Sequence, residues 1–117
     1  MSEFLFVEYP KCTTCQRAKH FLEGRGIAFE DRHIVEARPS AEELRIWIAR
    51  SGLPVKKFFN TCGLRYKALA LKDKLPEMSE DEQIALLASD GMLVKRPLLI
   101  TPSAVRVGFK PAEWETL

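Results

Sequence analysis

The stretch YPKCTTCQRAKHFLEG constrains the fold most, because two cysteines three residues apart stand between a short apolar run and a helical pattern. The apolar run from Phe4 to Val7 is short and β-prone, which predicts a buried strand. The spacing of apolar residues after Pro10 predicts a helix from about Thr13 to Glu23. Cys12 and Cys15 therefore lie at the start of that helix.

The remaining sequence predicts a second strand, a helical middle and a final hairpin. IAFEDRHI reads as the second strand, and VKKFFNTCG as a short helical or turn segment. A capping box, Ser40 with Glu43, begins one helix, and Ser79 with Glu82 begins another. PLLIT and AVRVGF predict a hairpin, and a short last helix is expected from Pro111.

This order of elements predicts the fold class. A β-α-β half requires a parallel pair with a crossover, whereas the hairpin adds an antiparallel pair. We expect an α/β protein with a mixed four-stranded sheet flanked by helices, which is the thioredoxin-like arrangement that C-x-x-C in a β-α-β unit indicates. A single domain over residues 1–117 is expected, with 1–35 and 92–117 forming the sheet and 36–91 mainly helical.

Composition narrows the function classes. The net charge is only +2 and the basic residues are dispersed, so direct nucleic-acid binding is not expected. No apolar run approaches the ~18 residues of a membrane span, and no signal peptide is recognisable. Three cysteines suit a reducing compartment better than a disulfide scaffold, so the expected location is cytoplasmic.

The position of the two cysteines favours thiol chemistry. The first turn of a helix carries unpaired N–H groups and a partial positive charge, so it stabilises a thiolate. A cysteine pKa there falls from ~8.5 into the range ~3.5–7.5. We assign Cys12 as the nucleophile and the more buried Cys15 as the thiol that resolves its adduct.

Two other interpretations of the pair remain open. The cysteines could be half of a zinc site completed by Cys62 with His20 or His33, although the sequence has no second C-x-x-C. They could also be ordinary small residues in a turn. Cys62 by itself is expected to be a small buried or half-buried residue.

Arg96-Pro97 is the second informative site. A proline that precedes a strand belongs at its start, and thioredoxin-like proteins carry a cis-proline there, which makes Pro97 the candidate. That fold delivers Arg96 beside Cys12, and Arg106 lies on the second arm of the hairpin. Two guanidinium groups around a thiolate suit an oxyanion, although exposed arginines are ordinarily solvated surface charges.

These residues together resemble the arsenate reductases that use glutathione and glutaredoxin, and the related Spx-type regulators. The similarity rests on YPKCTTCQRAKHFLEGRGI, FFNTCGLRYKAL, LLASDGMLVKRPLLIT and VGFKPAEW. It implies that Cys12 attacks the oxyanion and that Arg96 and Arg106 bind it. Asn60 stands where the reductases have another arginine, and losing such a contact costs about 1.5–3 kcal/mol.

The resemblance also implies the partners. No bound cofactor or metal is expected, the substrate is a small oxyanion or glutathione, and glutathione, a glutaredoxin or a thioredoxin is the reductant. The alternative function is a redox-sensing regulator, since Cys15 completes the C-x-x-C of the Spx-type proteins. In those regulators a glycine after the second long helix, here Gly52, helps to bind the RNA polymerase α subunit. A helix C-cap explains Gly52 without a partner and is the favoured interpretation of this residue.

Overall fold

The computed structural model describes residues 3–61 and 63–116. Its central element is a four-stranded β-sheet. The strands are β1 (Leu5–Glu8), β2 (Glu30–His33), β3 (Leu98–Ile100) and β4 (Val105–Val107). Their spatial order is β2-β1-β3-β4; β1 is parallel to β2 and antiparallel to β3, and β3 is antiparallel to β4. The predicted mixed, thioredoxin-like sheet is confirmed.

Helices and short 3-10 turns connect and cover the strands. The helices of the described chain are α1 (Thr13–Gly24), α2 (Ala41–Ser51), α3 (Leu64–Ala68), α4 (Leu71–Lys74), α5 (Glu80–Ser89) and α6 (Pro111–Trp114). The 3-10 turns are Val55–Phe58, Leu75–Glu77 and Gly91–Leu93. None of the described helices is long and apolar enough to cross a bilayer.

The two predicted capping boxes are present. The Ser40 hydroxyl accepts the N–H of Glu43 at 3.1 Å at the start of α2. The same reciprocal arrangement of Ser79 and Glu82 begins α5. Each box satisfies two N–H groups that the helix itself leaves unpaired, which is why these two long helices begin where the sequence indicates.

The sheet separates two apolar layers, because successive side chains of a strand point to opposite faces. On one face α1 and α6 cover the strands, with Phe6, Leu99 and Trp114 at the centre of a fully buried cluster. The larger cluster lies on the other face and includes Val7, Leu98 and residues of α2 and α5. β1 and β3 are the two interior strands, and each contributes side chains to both layers.

The segment between α2 and α5 differs most from the sequence expectation. α3 and α4 have five and four residues, too few for a clear helical period. β2 also begins at Glu30 rather than near Ile27, since β1 offers only four residues for parallel pairing. Ile27 and Phe29 instead pack, partly buried, against the layer beneath α1.

Gly91 provides a test of the packing between β2 and the 3-10 turn after α5. A Cβ at Gly91 would lie 2.0 Å from the carbonyl oxygen of Ile34, so Gly91→Ala requires backbone movement. We expect Gly91→Ala to lower the free energy of unfolding by about 2 kcal/mol or more, measured by urea denaturation. Gly24→Ala is the control, because Gly24 ends α1 facing open space. Equal urea midpoints for the two variants would contradict the packing.

Candidate active site around Cys12

Cys12 is held at the N-terminus of α1 by the turn that follows β1. Its N–H donates to the carbonyl of Tyr9 at 2.9 Å, and its own carbonyl accepts the N–H of Gln16 at 3.1 Å. Cys12 is the N-cap residue, with φ −88° and ψ 120°, and it is half-buried. The structure therefore places its thiol at the positive end of a twelve-residue helix.

The two thiols have opposite acidities. Burial alone would raise the pKa of Cys12, but interactions with the Cys15 backbone N–H, the Cys15 thiol and Arg96 lower it below its ordinary value. Cys15 is fully buried, and burial raises its pKa to about 12. Both are free cysteines. Cys12 therefore ionises more readily than an ordinary thiol, whereas Cys15 stays protonated to a higher pH.

The sheet register brings Arg96 to this helix end. Val7 pairs with Leu98 across the antiparallel β1–β3 ladder, so the residues just before β3 lie beside those just after β1. The Arg96-Pro97 peptide bond is cis. The Arg96 guanidinium carbon lies 5.2 Å from the centroid of the Tyr9 ring, an arrangement typical of a cation–π contact.

The Arg96 guanidinium is incompletely satisfied. Its Nη1 donates to the carbonyl of Met92 at 3.5 Å, the outer limit for a hydrogen bond. Its Nε is buried and has no hydrogen-bond partner among residues 3–61 and 63–116. A buried donor without a partner is unfavourable, so this atom is available to an incoming acceptor.

A cavity of about 360 Å³ adjoins Arg96. Its lining residues are Asn60, Gly63, Leu64, Arg65, Met92 and Arg96. Asn60 reaches it because the chain near residue 59 pairs with the chain before β3, where the Asn60 N–H donates to the carbonyl of Leu93 at 2.7 Å. The structure thus places Asn60 and Arg96 on the wall of one cavity.

Arg65 was not assigned to the site from the sequence. It lines the same cavity, and its Nε donates to Asp90 at 2.9 Å. This ion pair orients the side chain without using all five guanidinium donors. Its position depends on α3, a helix too short to be recognised from periodicity.

Arg106 is placed differently from Arg96. It pairs with Leu99 across the β3–β4 ladder and therefore points to the layer of α1 and α6. Its Nε donates to the carbonyl of Glu113 at 3.3 Å and its Nη2 to the hydroxyl of Thr116 at 3.2 Å. These contacts fasten α6 to the edge strand, and no described contact joins Arg106 to the thiols.

The other candidate residues have simpler surroundings. Gly52 is exposed, has a left-handed φ of 71° and ends α2, so its conformation alone accounts for a glycine. The His33 Nδ1 accepts the N–H groups of Val35 and Glu36 in a turn. Cys62 lies outside the described residues. No group of three potential ligands is arranged for a metal ion within the described chain.

A buried carboxyl beneath α1 was missed in the sequence. Glu8 is 3% exposed, 3.5 Å from the Nζ of Lys19, which also binds Asp31 at 2.6 Å. Burial, and then the neighbouring Asp31, raise the pKa of Glu8 to about 7. Burial opposes ionisation of Asp31, but its contacts with Glu8 and Lys19 lower its pKa. Below about pH 7 Glu8 therefore holds the proton and Asp31 the charge.

The four-stranded sheet, with two free thiols at the start of α1, places this chain in the thioredoxin-like class of proteins. The ArsC family model matches residues 7–117, so the chain belongs to the ArsC family. The Bacillus subtilis protein YusI is 54% identical over 110 residues, which cover 94% of this chain and 93% of YusI. The B. subtilis regulatory protein MgsR is 30% identical over 95% of this chain and 86% of its own length.

Two solved structures place the fold within the same family. One, from Bacteroides fragilis, is described as an ArsC family related protein; its TM-score is 0.95 at 58% identity, covering 97% of this chain and 96% of that one. The other, described as a possible arsenate reductase from Streptococcus mutans, has a TM-score of 0.91 at 45% identity, covering 99% and 98%.

Glu8→Gln tests the buried carboxyl pair. Glu8 is protonated in both the folded and unfolded states below pH 4.5, and its ionisation is penalised only in the folded state up to about pH 7. The wild-type protein therefore loses stability as pH rises through this window. At pH 8 we expect Glu8→Gln to be more stable than wild type, by at most about 3 kcal/mol, and at pH 4 nearly equal. Urea unfolding at both values measures the difference.

The exposed Glu36→Gln serves as the control and is expected to unfold like the wild type at both pH values. A Glu8→Gln protein less stable than wild type at pH 8 would show that Glu8 acts as a stabilising carboxylate, contrary to the buried protonated form.

Proposed function

We propose that this ArsC-family protein is a thiol-dependent reductase in which Cys12 attacks an oxyanion such as arsenate, or a glutathione mixed disulfide. The observation that carries the proposal is the contrast between the two thiols at one helix start. The pKa of Cys12 is lowered at a half-buried position, whereas that of the fully buried Cys15 is raised to about 12. This division suits a nucleophile and a resolving thiol.

The reaction proceeds by two sulfur attacks. The Cys12 thiolate forms a sulfur–arsenic bond, and one arsenate oxygen leaves as water after protonation. Cys15 then loses its proton and attacks the Cys12 sulfur, which forms a disulfide while the electron pair of the sulfur–arsenic bond stays on arsenic. Arsenic(V) leaves as arsenic(III), and two electrons have come from the two thiols.

The reductant must then restore the dithiol. Glutathione, a glutaredoxin or a thioredoxin supplies the two electrons by thiol–disulfide exchange at Cys12, the more accessible sulfur. A glutathione mixed disulfide as substrate would follow the same course, with the Cys12 thiolate attacking its sulfur. No bound cofactor takes part in either scheme.

The cavity beside Arg96 supports the oxyanion part of the proposal. The unpartnered Nε of Arg96 is a donor that a bound oxyanion would satisfy. Asn60 supplies an amide in place of the arginine of the reductases, and Arg65 on the same cavity wall adds a second guanidinium. Arg106 would have to release its two hydrogen bonds at α6 to join them.

The second candidate is a redox-switched regulator, which the similarity to MgsR favours. In this function a Cys12–Cys15 disulfide alters binding to the RNA polymerase α subunit. The surface around Gly52 is open to such a partner, since Gly52 and Leu53 are exposed and Ile46 on α2 is 57% exposed. The regulator requires disulfide-dependent binding and no turnover.

Arsenate-dependent NADPH oxidation, coupled through glutathione, glutaredoxin and glutathione reductase, separates the two functions. The reductase should turn over, and Cys12→Ser should lower the rate at least about a hundredfold, since the nucleophile is removed. If Cys15 resolves the adduct, Cys15→Ser should also lower the rate of NADPH oxidation. Retained turnover in Cys15→Ser would mean that glutathione resolves the adduct.

The exposed Lys67→Ala is the control and should keep the wild-type rate. Absence of turnover above the Cys12→Ser background would overturn the arsenate assignment. Binding of the polymerase α subunit by the oxidised and the reduced protein would then decide whether the regulator replaces it.

A further inference from the structure

A second, larger cavity lies next to the candidate active site but is separate from it. Its volume is about 670 Å³. Phe59 and Lys95 line it, whereas their chain neighbours Asn60 and Arg96 line the smaller cavity that adjoins Arg96. No cysteine is among its described lining residues. The reductase proposal therefore leaves this cavity without a role.

Lysines dominate the charge of this cavity. The described lining includes Lys56, Lys57, Lys72, Lys95 and Lys110, and none of the described lining residues is acidic. Only Lys110 has an ion pair within the described chain, with Glu113 at 3.6 Å. The whole protein has a net charge of only +2, so these five charges form a local concentration of positive potential.

The inner wall of the cavity is apolar and partly aromatic. Phe59, Leu75 and Val107 are each less than 10% exposed and belong to the large core cluster. The half-buried ring of Tyr66 packs against Phe59 with centroids 6.4 Å apart. Leu53 is 40% exposed at the same cavity. A ligand here meets apolar surface as well as ammonium groups.

We propose that this lysine cavity, lined by the five lysines above, binds a nucleoside polyphosphate. Ammonium groups on flexible stems bind phosphate oxygens as point charges, and four of these lysines have no competing carboxylate in the described chain. The base packs on the more accessible apolar surface of this wall, at Tyr66 and Leu53. A volume of about 670 Å³ lies within the usual range for sites that take small organic ligands.

Isothermal titration calorimetry with three probes tests the proposal on the full-length protein. ATP represents the whole ligand, inorganic tripolyphosphate the charge alone and adenosine the base alone. ATP should bind at least tenfold more tightly than tripolyphosphate, and adenosine most weakly. ATP affinity should fall with added salt, because phosphate contacts are electrostatic. Tripolyphosphate binding as tightly as ATP would reveal a general polyanion surface and overturn the nucleotide assignment.

Charge-matched variants locate the site. Lys57→Ala/Lys72→Ala removes two cavity lysines and should weaken ATP binding at least about tenfold. Lys67→Ala/Lys74→Ala removes two exposed lysines outside the cavity and should change it less than about twofold. Tyr66→Ala should weaken the binding of ATP but leave the binding of tripolyphosphate unchanged. Equal effects of the two double variants, or ATP binding weaker than about 1 mM in the wild type, would overturn the proposal.

Arg96→Met makes the result independent of the reductase proposal. Arg96 lines only the smaller cavity, so this variant should keep the wild-type ATP affinity. A loss of ATP binding in Arg96→Met would place the nucleotide in the smaller cavity beside Arg96 and contradict a separate site. Failure of arsenate turnover, by contrast, would leave the ATP measurements unchanged.

Discussion

The pairing of β1 with neighbours on both sides is the constraint on which the rest of the structure depends. β1 lies between β2 and β3, and its residues Phe6 and Val7 are fully buried in opposite layers. A short turn connects β1 to α1, so the end of the strand fixes the position of the helix N-terminus. The antiparallel register of Val7 with Leu98 fixes the residues before β3 at the same end.

This geometry makes the chemistry of Cys12 a consequence of the sheet. The backbone of α1 and the guanidinium of Arg96 approach the thiol from different parts of the sequence, and together they overcome the effect of its partial burial. Cys15 lies in the first turn of α1 and is fully buried, which opposes its ionisation. A thiol of lowered pKa and a protonated neighbour thus arise from one helix start, without a metal or a prosthetic group in the proposed scheme.

Local sequence signals predicted much of this. The capping boxes at Ser40 and Ser79, the hairpin after Pro97 and the position of Cys12 depend on nearby residues and were correct. Features set by tertiary contacts were not predictable. Glu8 is an acid in an otherwise apolar strand, and that contrast was its only signal.

The arginines show the same limit from two directions. Arg106 occupies its predicted strand, but only the packing of α6 determines its hydrogen-bond partners. Arg65 reaches the cavity beside Arg96 through α3, a helix of five residues. The lysine cavity joins residues from 53 to 110 that share no local pattern. Sequence motifs thus located the proposed nucleophile, whereas three-dimensional packing determined its environment.

The opposite acidities of Cys12 and Cys15 are tested most directly by the pH dependence of iodoacetamide alkylation, resolved for each cysteine by peptide mass spectrometry. We expect Cys12 to react with a midpoint below the ordinary thiol pKa, and we expect this midpoint to rise in Arg96→Met, because a positive charge is lost. Cys15 should remain unmodified in the folded protein up to strongly alkaline pH. A Cys12 midpoint at or above the ordinary thiol value, or alkylation of Cys15 before Cys12, would contradict the assignment of Cys12 as the more acidic thiol.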